Sequence, residues 1–454
     1  MTRPLDALGP RGPYRAVRRL PVPDVTGAPL AELSLVPPLF IQRATTALRR
    51  SAPLPADERV ALLQRAAHLF ATAELDGQRV EDYEDAASRS GGIPLSVVRG
   101  ATTATAHRLS LAYDSVQHAR PAAAVTDLPG RGAGRAVWAR RGDVLAVHAA
   151  GNHPGTHSIW PEALALGYRV AVRPSRREPF TPHRLVTALR EAGFGDDRVA
   201  LLPTAHEHAD ALLSGADLGL VYGGPDVAAR HAGNPAVRVQ GPGRSKFLIT
   251  ADADWRAHLD TLVDSVAAHG GTGCVNTTAV LVEGDPEPVA TALAERLAHM
   301  PSLPPQDEKA VLPVQPLATA RNLEAYVRRV AGNARAVLGG DGFADDLGDG
   351  SAALRPAVHL LGRADAPQAG TELPFPCVWV APWNRADGMA PLRDTLVLGV
   401  LTGDEELLAR LVDEPSISNV YAGGGHPTCH KEHGMPHDGY LAEFLMRSKT
   451  VLRI

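Results

Sequence analysis

Val144-Leu145-Ala146-Val147-His148, a turn carrying Gly151 and Gly155, an apolar stretch over 159–165, and then Tyr168-Arg169-Val170-Ala171-Val172 read as strand, helix and strand. Short continuous apolar runs rich in valine suit strands covered on both faces, the condition of a parallel sheet. Two such strands joined through a helix form a βαβ unit, which closes right-handed.

Working C-terminally, the alternation continues. Helical stretches are predicted over 182–191, 207–213 and 226–232, with strands at 199–202, 218–221 and 237–239. A second block starts at Phe247-Leu248-Ile249 and runs through a helix before residue 274. Strand 278–282, helix 288–298 and strands near 358–361 and 395–401 follow. The expected fold is α/β, with two doubly wound domains meeting around 240–275.

Working N-terminally, residues 1–55 are rich in Pro and Arg and read as an arm. Val60, Leu63, Ala67 and Phe70 then recur at helical steps within 57–73. Segments 122–138 and 448–454 read as strands outside both blocks, and bare strand edges of this kind need a cover or a partner.

The composition narrows the class. At 454 residues the chain exceeds what one hydrophobic core spans. With 46 basic and 50 acidic residues well mixed, it lacks the basic footprint of a nucleic-acid binder. No apolar run is long enough to span a membrane and no secretory leader is evident. Three cysteines, Cys274, Cys377 and Cys429, do not make a disulfide framework, so reduced thiols and a cytoplasmic location are expected.

Of the three, Cys274 stands in Gly270-Gly271-Thr272-Gly273-Cys274-Val275-Asn276, where glycines bare the sulfur ahead of a strand. Such a thiol reads either as a nucleophile or as an inert small hydrophobe. Asn152 reads as a side-chain amide donor or as a turn cap. Arg173, Arg176 and Arg177 read as a phosphate site or as a solvated turn. His426, Cys429, His430, His433 and His437 are donors of the type zinc takes, but they lie on a Gly- and Pro-flanked loop without a distant second pair, so no metal is expected.

Taken in order, these segments resemble the NAD(P)-dependent aldehyde dehydrogenase superfamily, from about Pro55 to Ile454. The resemblance implies Cys274 as nucleophile and Asn152 as oxyanion donor. Val172-Arg173-Pro174-Ser175-Arg176 resembles the family's Lys-Pro-Ser-Glu segment, giving Arg173, Ser175 and Arg176 as residues around the adenosine ribose. Arginine in place of the acid implies NADPH over NADH. Gly223 and Gly224 match the turn under the pyrophosphate, and Glu372 matches the glutamate on the nicotinamide ribose. It implies a dinucleotide-binding domain (1–121 and 140–245), a catalytic cysteine domain (246–430), and oligomerisation strands and tail (122–139 and 431–454). A homodimer or homotetramer built on that small β element is expected.

One departure decides the expected chemistry. Val239-Gln240-Gly241-Pro242-Gly243-Arg244-Ser245 occupies the place of the family's Glu-Leu-Gly-Gly-Lys-Ser, so Gln240 replaces the base that activates water. An amide cannot take that proton. Hydrolysis of an acyl-cysteine should be slow, which favours exchange with a thiol such as coenzyme A. The turns around 147–155 and 177–181 are similar to the acyl-CoA reductases of bacterial luminescence. The leading expectation is NADPH-dependent reduction of an acyl thioester to an aldehyde, with coenzyme A as co-substrate or product. The acyl group would arrive free, on a carrier protein, or from an acyl-activating enzyme. The alternatives are oxidation of an aldehyde to an acid or acyl-CoA, and a silent dinucleotide-binding scaffold.

Overall fold

The computed structural model of the protein describes residues 2–429 and 434–454. Two seven-stranded sheets organise it. In the first, Val144–His148 lies at the centre and pairs in parallel with Arg169–Arg173 on one side and Leu218–Tyr222 on the other. Val199–Leu201 and Val237–Gln240 extend the two flanks, also in parallel. Val144, Leu145, Ala146 and Val147 are fully buried, which accounts for the unbroken apolar run.

The N-terminal segment is not an arm. Ala7–Gly9 pairs antiparallel with Val199–Leu201, and Gly12–Tyr14 completes that edge. Arg3–Leu5, Arg19–Pro23 and Pro29–Ser34 form a separate three-stranded sheet, and Pro38–Arg50 is a helix. These strands escape a periodicity reading because most have three residues and several contain proline, which is tolerated on outer strands where no ladder donor is required.

Four residues after Val237–Gln240, Ser245–Ile249 opens the second sheet. It sits between Thr277–Glu283 and Thr395–Leu401, all parallel, with Cys377–Trp383, Ala357–Leu360 and Ile417–Ala422 outside them. Arg335–Leu338 closes one edge antiparallel. Helices Leu259–Ala267 and Glu287–Leu297 pack on one face, burying Leu262, Val266, Val289 and Leu293 against Phe247, Val280 and Val380.

Ser351–Leu354 pairs antiparallel with Val314–Pro316 and Ala344–Asp346 in a small sheet of its own, and another three strands form a separate unit. Met446–Arg453 pairs antiparallel with Ala133–Arg140 along all eight residues, and Ala124–Val125 lies on the far side. Among the described residues, no helix is long and apolar enough to cross a membrane.

Candidate active site

In the first sheet the chain leaves Val144–His148 toward one flank, yet Leu218–Tyr222 lies on the other. The ends of these two strands therefore part into a crevice, the switch point at which open α/β sheets take ligands. Asn152 follows the first strand, and Gly223 and Gly224 follow the second. A cavity of about 790 Å³ opens there and continues to the second sheet; Asn152, Gly223, Gly224, Gln240, Cys274, Glu372 and His437 line it.

Backbone geometry sets the cysteine loop. After helix Leu259–Ala267 the chain turns through His269, Gly270 and Gly271, at φ of 59°, 72° and 64°. Glycine suits two of these left-handed positions, and at Gly271 a Cβ would stand 2.4 Å from the Pro376 nitrogen. Asn276 then staples the loop: its Nδ2 donates to the carbonyls of Ser265 (3.1 Å) and Ala268 (2.9 Å), while its Oδ1 accepts from Gly273 N–H (2.9 Å). Ser245 Oγ donates to the Cys274 carbonyl at 2.8 Å. Gly243 lies so near that carbonyl that a Cβ there would approach it to 1.8 Å. The sulfur is left partly exposed to the cavity.

Asn152 reaches across the crevice, and its Nδ2 donates to the Thr272 carbonyl at 3.0 Å. Its Nδ2 carries a second proton and the residue lines the cavity, so the turn-cap reading does not describe this side chain. Glu372 accepts from the Arg244 N–H at 2.9 Å, which anchors the turn beside Gly243. Burial raises the Glu372 carboxyl above its ordinary value, and the Arg244 N–H opposes the shift.

The arginine segment stands apart from the cysteine. Arg173 ends strand Arg169–Arg173, and Ser175 and Arg176 follow it, beside the turn that carries Asn152. Ser175 packs where a Cβ on Gly151 would collide with it. Burial lowers the Arg173 guanidinium below its ordinary value, with Arg176 adding to the effect. Arg176 is exposed, whereas Arg177 donates to the Gly91 carbonyl at 2.6 Å and is committed to the protein.

Gln240 is buried and donates through Nε2 to Asp438 Oδ1 at 3.0 Å. Arg238, on the same strand, donates to that oxygen at 3.1 Å, to the Asp438 carbonyl, and to the Tyr440 carbonyl at 3.0 Å. The clasped segment brings His437 Nε2 to 3.2 Å from Cys274 Sγ. Burial opposes a charged imidazole here, but the Cys274 and Asp438 charges outweigh it and raise His437 to about 10. Glu162, buried on the same cavity wall, is raised to about 7 by burial, with Arg108 and Arg238 pulling the other way.

His437, Asp438, Arg238 and Asn276 escaped a functional reading of the sequence. Asn276 stands inside the quoted cysteine loop, two residues from the thiol, and was the one within reach. His437 belongs to the histidine cluster weighed for zinc, and nothing local marks it as a partner of the thiol. Among the described residues no three His, Cys, Asp or Glu side chains form a metal-sized group, and His430 and His433 lie outside the described residues. His426 is fully buried, with Nδ1 2.8 Å from Thr428 Oγ1 and its ring over Phe247.

Comparison with known proteins extends the local geometry. A model described as the aldehyde dehydrogenase family matches residues 38–442. The chain is 26% identical to the 2-hydroxymuconic semialdehyde dehydrogenase of Pseudomonas sp. (strain CF600), over 57% of this chain and 56% of that protein. It is 27% identical to the geranial dehydrogenase of Castellaniella defragrans, over 64% of this chain and 66% of that one. These alignments thus span less than two thirds of either relative. The NAD-dependent aldehyde dehydrogenase of Sinorhizobium meliloti shares the fold at a TM-score of 0.83 and 18% identity, covering 99% of this chain and 95% of that one.

Proposed function

The chain belongs to the aldehyde dehydrogenase family, and on that premise we propose that it oxidises an aldehyde with a nicotinamide dinucleotide, through an acyl group carried on Cys274. The observation that carries this reading is the single cavity shared by the Cys274 thiol, the Asn152 amide and the Gly223-Gly224 turn at the switch point.

Cys274 Sγ attacks the carbonyl carbon, and Asn152 Nδ2 donates a hydrogen bond to the oxygen that becomes negative. Removing one such donor typically costs about 10²–10³ in rate. Bound dinucleotide supplies the acceptor for the hydride that leaves that carbon. The chain suits such a group: the buried Arg173 Nε has no hydrogen-bond partner among the described residues, and the Gly224 backbone is open where a Cβ would stand. Arg173, Ser175, Arg176, Gly223, Gly224 and Glu372 would hold it. Arg176, exposed and without a neighbouring acid at 175 or 177, supports a preference for the 2′-phosphorylated form.

The relatives are dehydrogenases, which supports oxidation over the reductive direction expected from the sequence. Gln240 favours a second reading, reduction of an acyl thioester such as an acyl-CoA, since an amide at 240 does not activate water. A homo-oligomer joined through the Met446–Arg453 edge is part of the proposal: Leu452 on it and Ile454 just past its end are exposed apolar residues.

Both directions are accessible to one experiment. Purified protein is given aldehydes with NADP⁺ or NAD⁺, and acyl-CoA thioesters with NADPH, while absorbance at the nicotinamide band is followed. Turnover should be faster with aldehyde, should prefer the phosphorylated cofactor, and should vanish in Cys274→Ala. Equal turnover in Cys274→Ala overturns the covalent reading, and turnover with acyl-CoA alone selects reduction.

A further inference from the structure

Gln240 removes one proton acceptor from the neighbourhood of the thiol, and the fold brings another. His437 Nε2 stands 3.2 Å from Cys274 Sγ, within reach for a proton to pass between them. The contact is built from both sides. Arg238 and Gln240 grip the Asp438 carboxylate, Arg238 also takes the Tyr440 carbonyl, and Asn419 Nδ2 donates to the His437 carbonyl. Residue 437 is therefore held between two strands of different sheets, Val237–Gln240 and Ile417–Ala422. On the imidazole's far side Nδ1 faces the Asp438 carboxylate at 3.6 Å.

We propose that His437 is the acid–base residue of this site, taking the thiol proton from Cys274 and later the proton of the acyl acceptor, with Asp438 as its positioning residue and Gln240 as the clamp on Asp438. The proposal rests on the acyl-cysteine reading above. In the resting pair the proton of the broken S–H bond already sits on Nε2, in keeping with the raised imidazole; the sulfur lone pair forms the S–C bond, and the carbonyl π pair moves to oxygen. After hydride departure reforms the carbonyl, the acylated sulfur no longer carries the charge that raised His437, and the imidazolium gives its proton to solvent. Water or a thiol then attacks the thioester carbon while Nε2 accepts its proton. The C–S bond breaks, and that proton stays on Nε2 in the restored pair. Gln240 thereby acquires a role that needs an amide: it donates to a carboxylate, which glutamate at 240 would repel.

Other ionisable groups face the same space. Glu162 shares the cavity wall, Arg108 and Arg238 lie beside it, and Tyr222 borders Cys274. The test must separate His437 from Glu162.

The probe is p-nitrophenyl acetate, which acetylates a reactive cysteine without any dinucleotide. Release of p-nitrophenolate reports acylation, and intact-mass spectrometry reports the life of acetyl-Cys274. In His437→Gln, deacetylation should slow by about 10²-fold or more, so that acetyl-enzyme accumulates. In His437→Gly, added imidazole should restore at least part of that loss, which a merely structural role would not allow. Asp438→Asn should shift the pH profile of deacetylation while leaving the adduct on Cys274. Deacetylation that is as fast in His437→Gln as in the wild type overturns the proposal and leaves the acyl-cysteine reading standing. The same holds if only Glu162→Gln slows it. No adduct on Cys274 in any form of the protein, with aldehyde turnover intact in Cys274→Ala, overturns both.

Discussion

Gly243 is the residue on which the position of the nucleophile depends most directly. A methyl group there would stand 1.8 Å from the Cys274 carbonyl oxygen and 2.6 Å from its carbon, both backbone atoms that cannot swing aside. Gly243→Ala must displace the cysteine loop, and a shift of about 1 Å at a reacting atom costs about 10²-fold in rate. We expect kcat/KM to fall by that much or more while far-UV circular dichroism stays unchanged. Much of this residue-scale arrangement was legible in the sequence. Cys274, Asn152 and Gln240 sit in short local patterns, and all three line one cavity. His437 was not legible as a partner of Cys274, because 163 residues separate them and nothing local in a Gly- and Pro-flanked loop announces the contact. Arg177 misled for the same reason, since its carbonyl partner Gly91 is 86 residues upstream.

At the scale of single elements, the entry to helix Phe180–Leu189 carries a titration that folding must bear. Glu178 is buried; its Oε1 accepts from the Thr181 N–H at 2.8 Å, while Oε2 has no hydrogen-bond partner among the described residues. Burial raises this carboxyl from 4.5 to about 7, against the hydrogen bonds from Thr181. Between those values the folded chain keeps a proton that the unfolded chain has released. Stability therefore falls as pH rises from about 4.5 to 7, by on the order of 3 kcal/mol for such a shift, and stays lower above it. Glu162 adds to the slope in the same window. Glu178→Gln should flatten the pH dependence of urea unfolding by roughly half, and an unchanged slope would refute the assignment. Long elements such as Ala56–Thr72 and Thr395–Leu401 were legible to within a residue or so, because periodicity needs length to speak. The three-residue strands Ala7–Gly9 and Gly12–Tyr14 were not, since pairing at a sheet edge and not their own pattern makes them strands.

Across the whole molecule, the two sheets and their junction near 240–275 followed from the alternation of strand and helix. Which strands lie side by side did not, because strand order is set by the direction each crossover takes. The terminal strands show the same limit. Met446–Arg453 was recognisable as an edge, but its partner within the chain, Ala133–Arg140, was not. With Leu452 64% exposed, that edge is where association is expected. Leu452→Arg combined with Ile454→Arg should convert a homo-oligomer to monomer in light scattering after size exclusion. A mass that does not change would move the interface elsewhere.

The clasp of Arg238 on Asp438 has a further bearing on how the protein comes to life. Cys274 is flanked by groups contributed from far along the polypeptide, Asn152 lying 120 residues before its Thr272 partner and His437 lying 163 after the thiol. Closing loops of such length costs chain entropy before the contact repays it. A growing or half-folded chain would thus carry its cysteine without the imidazole beside it, and chemical competence would arrive only when residues 434–440 dock.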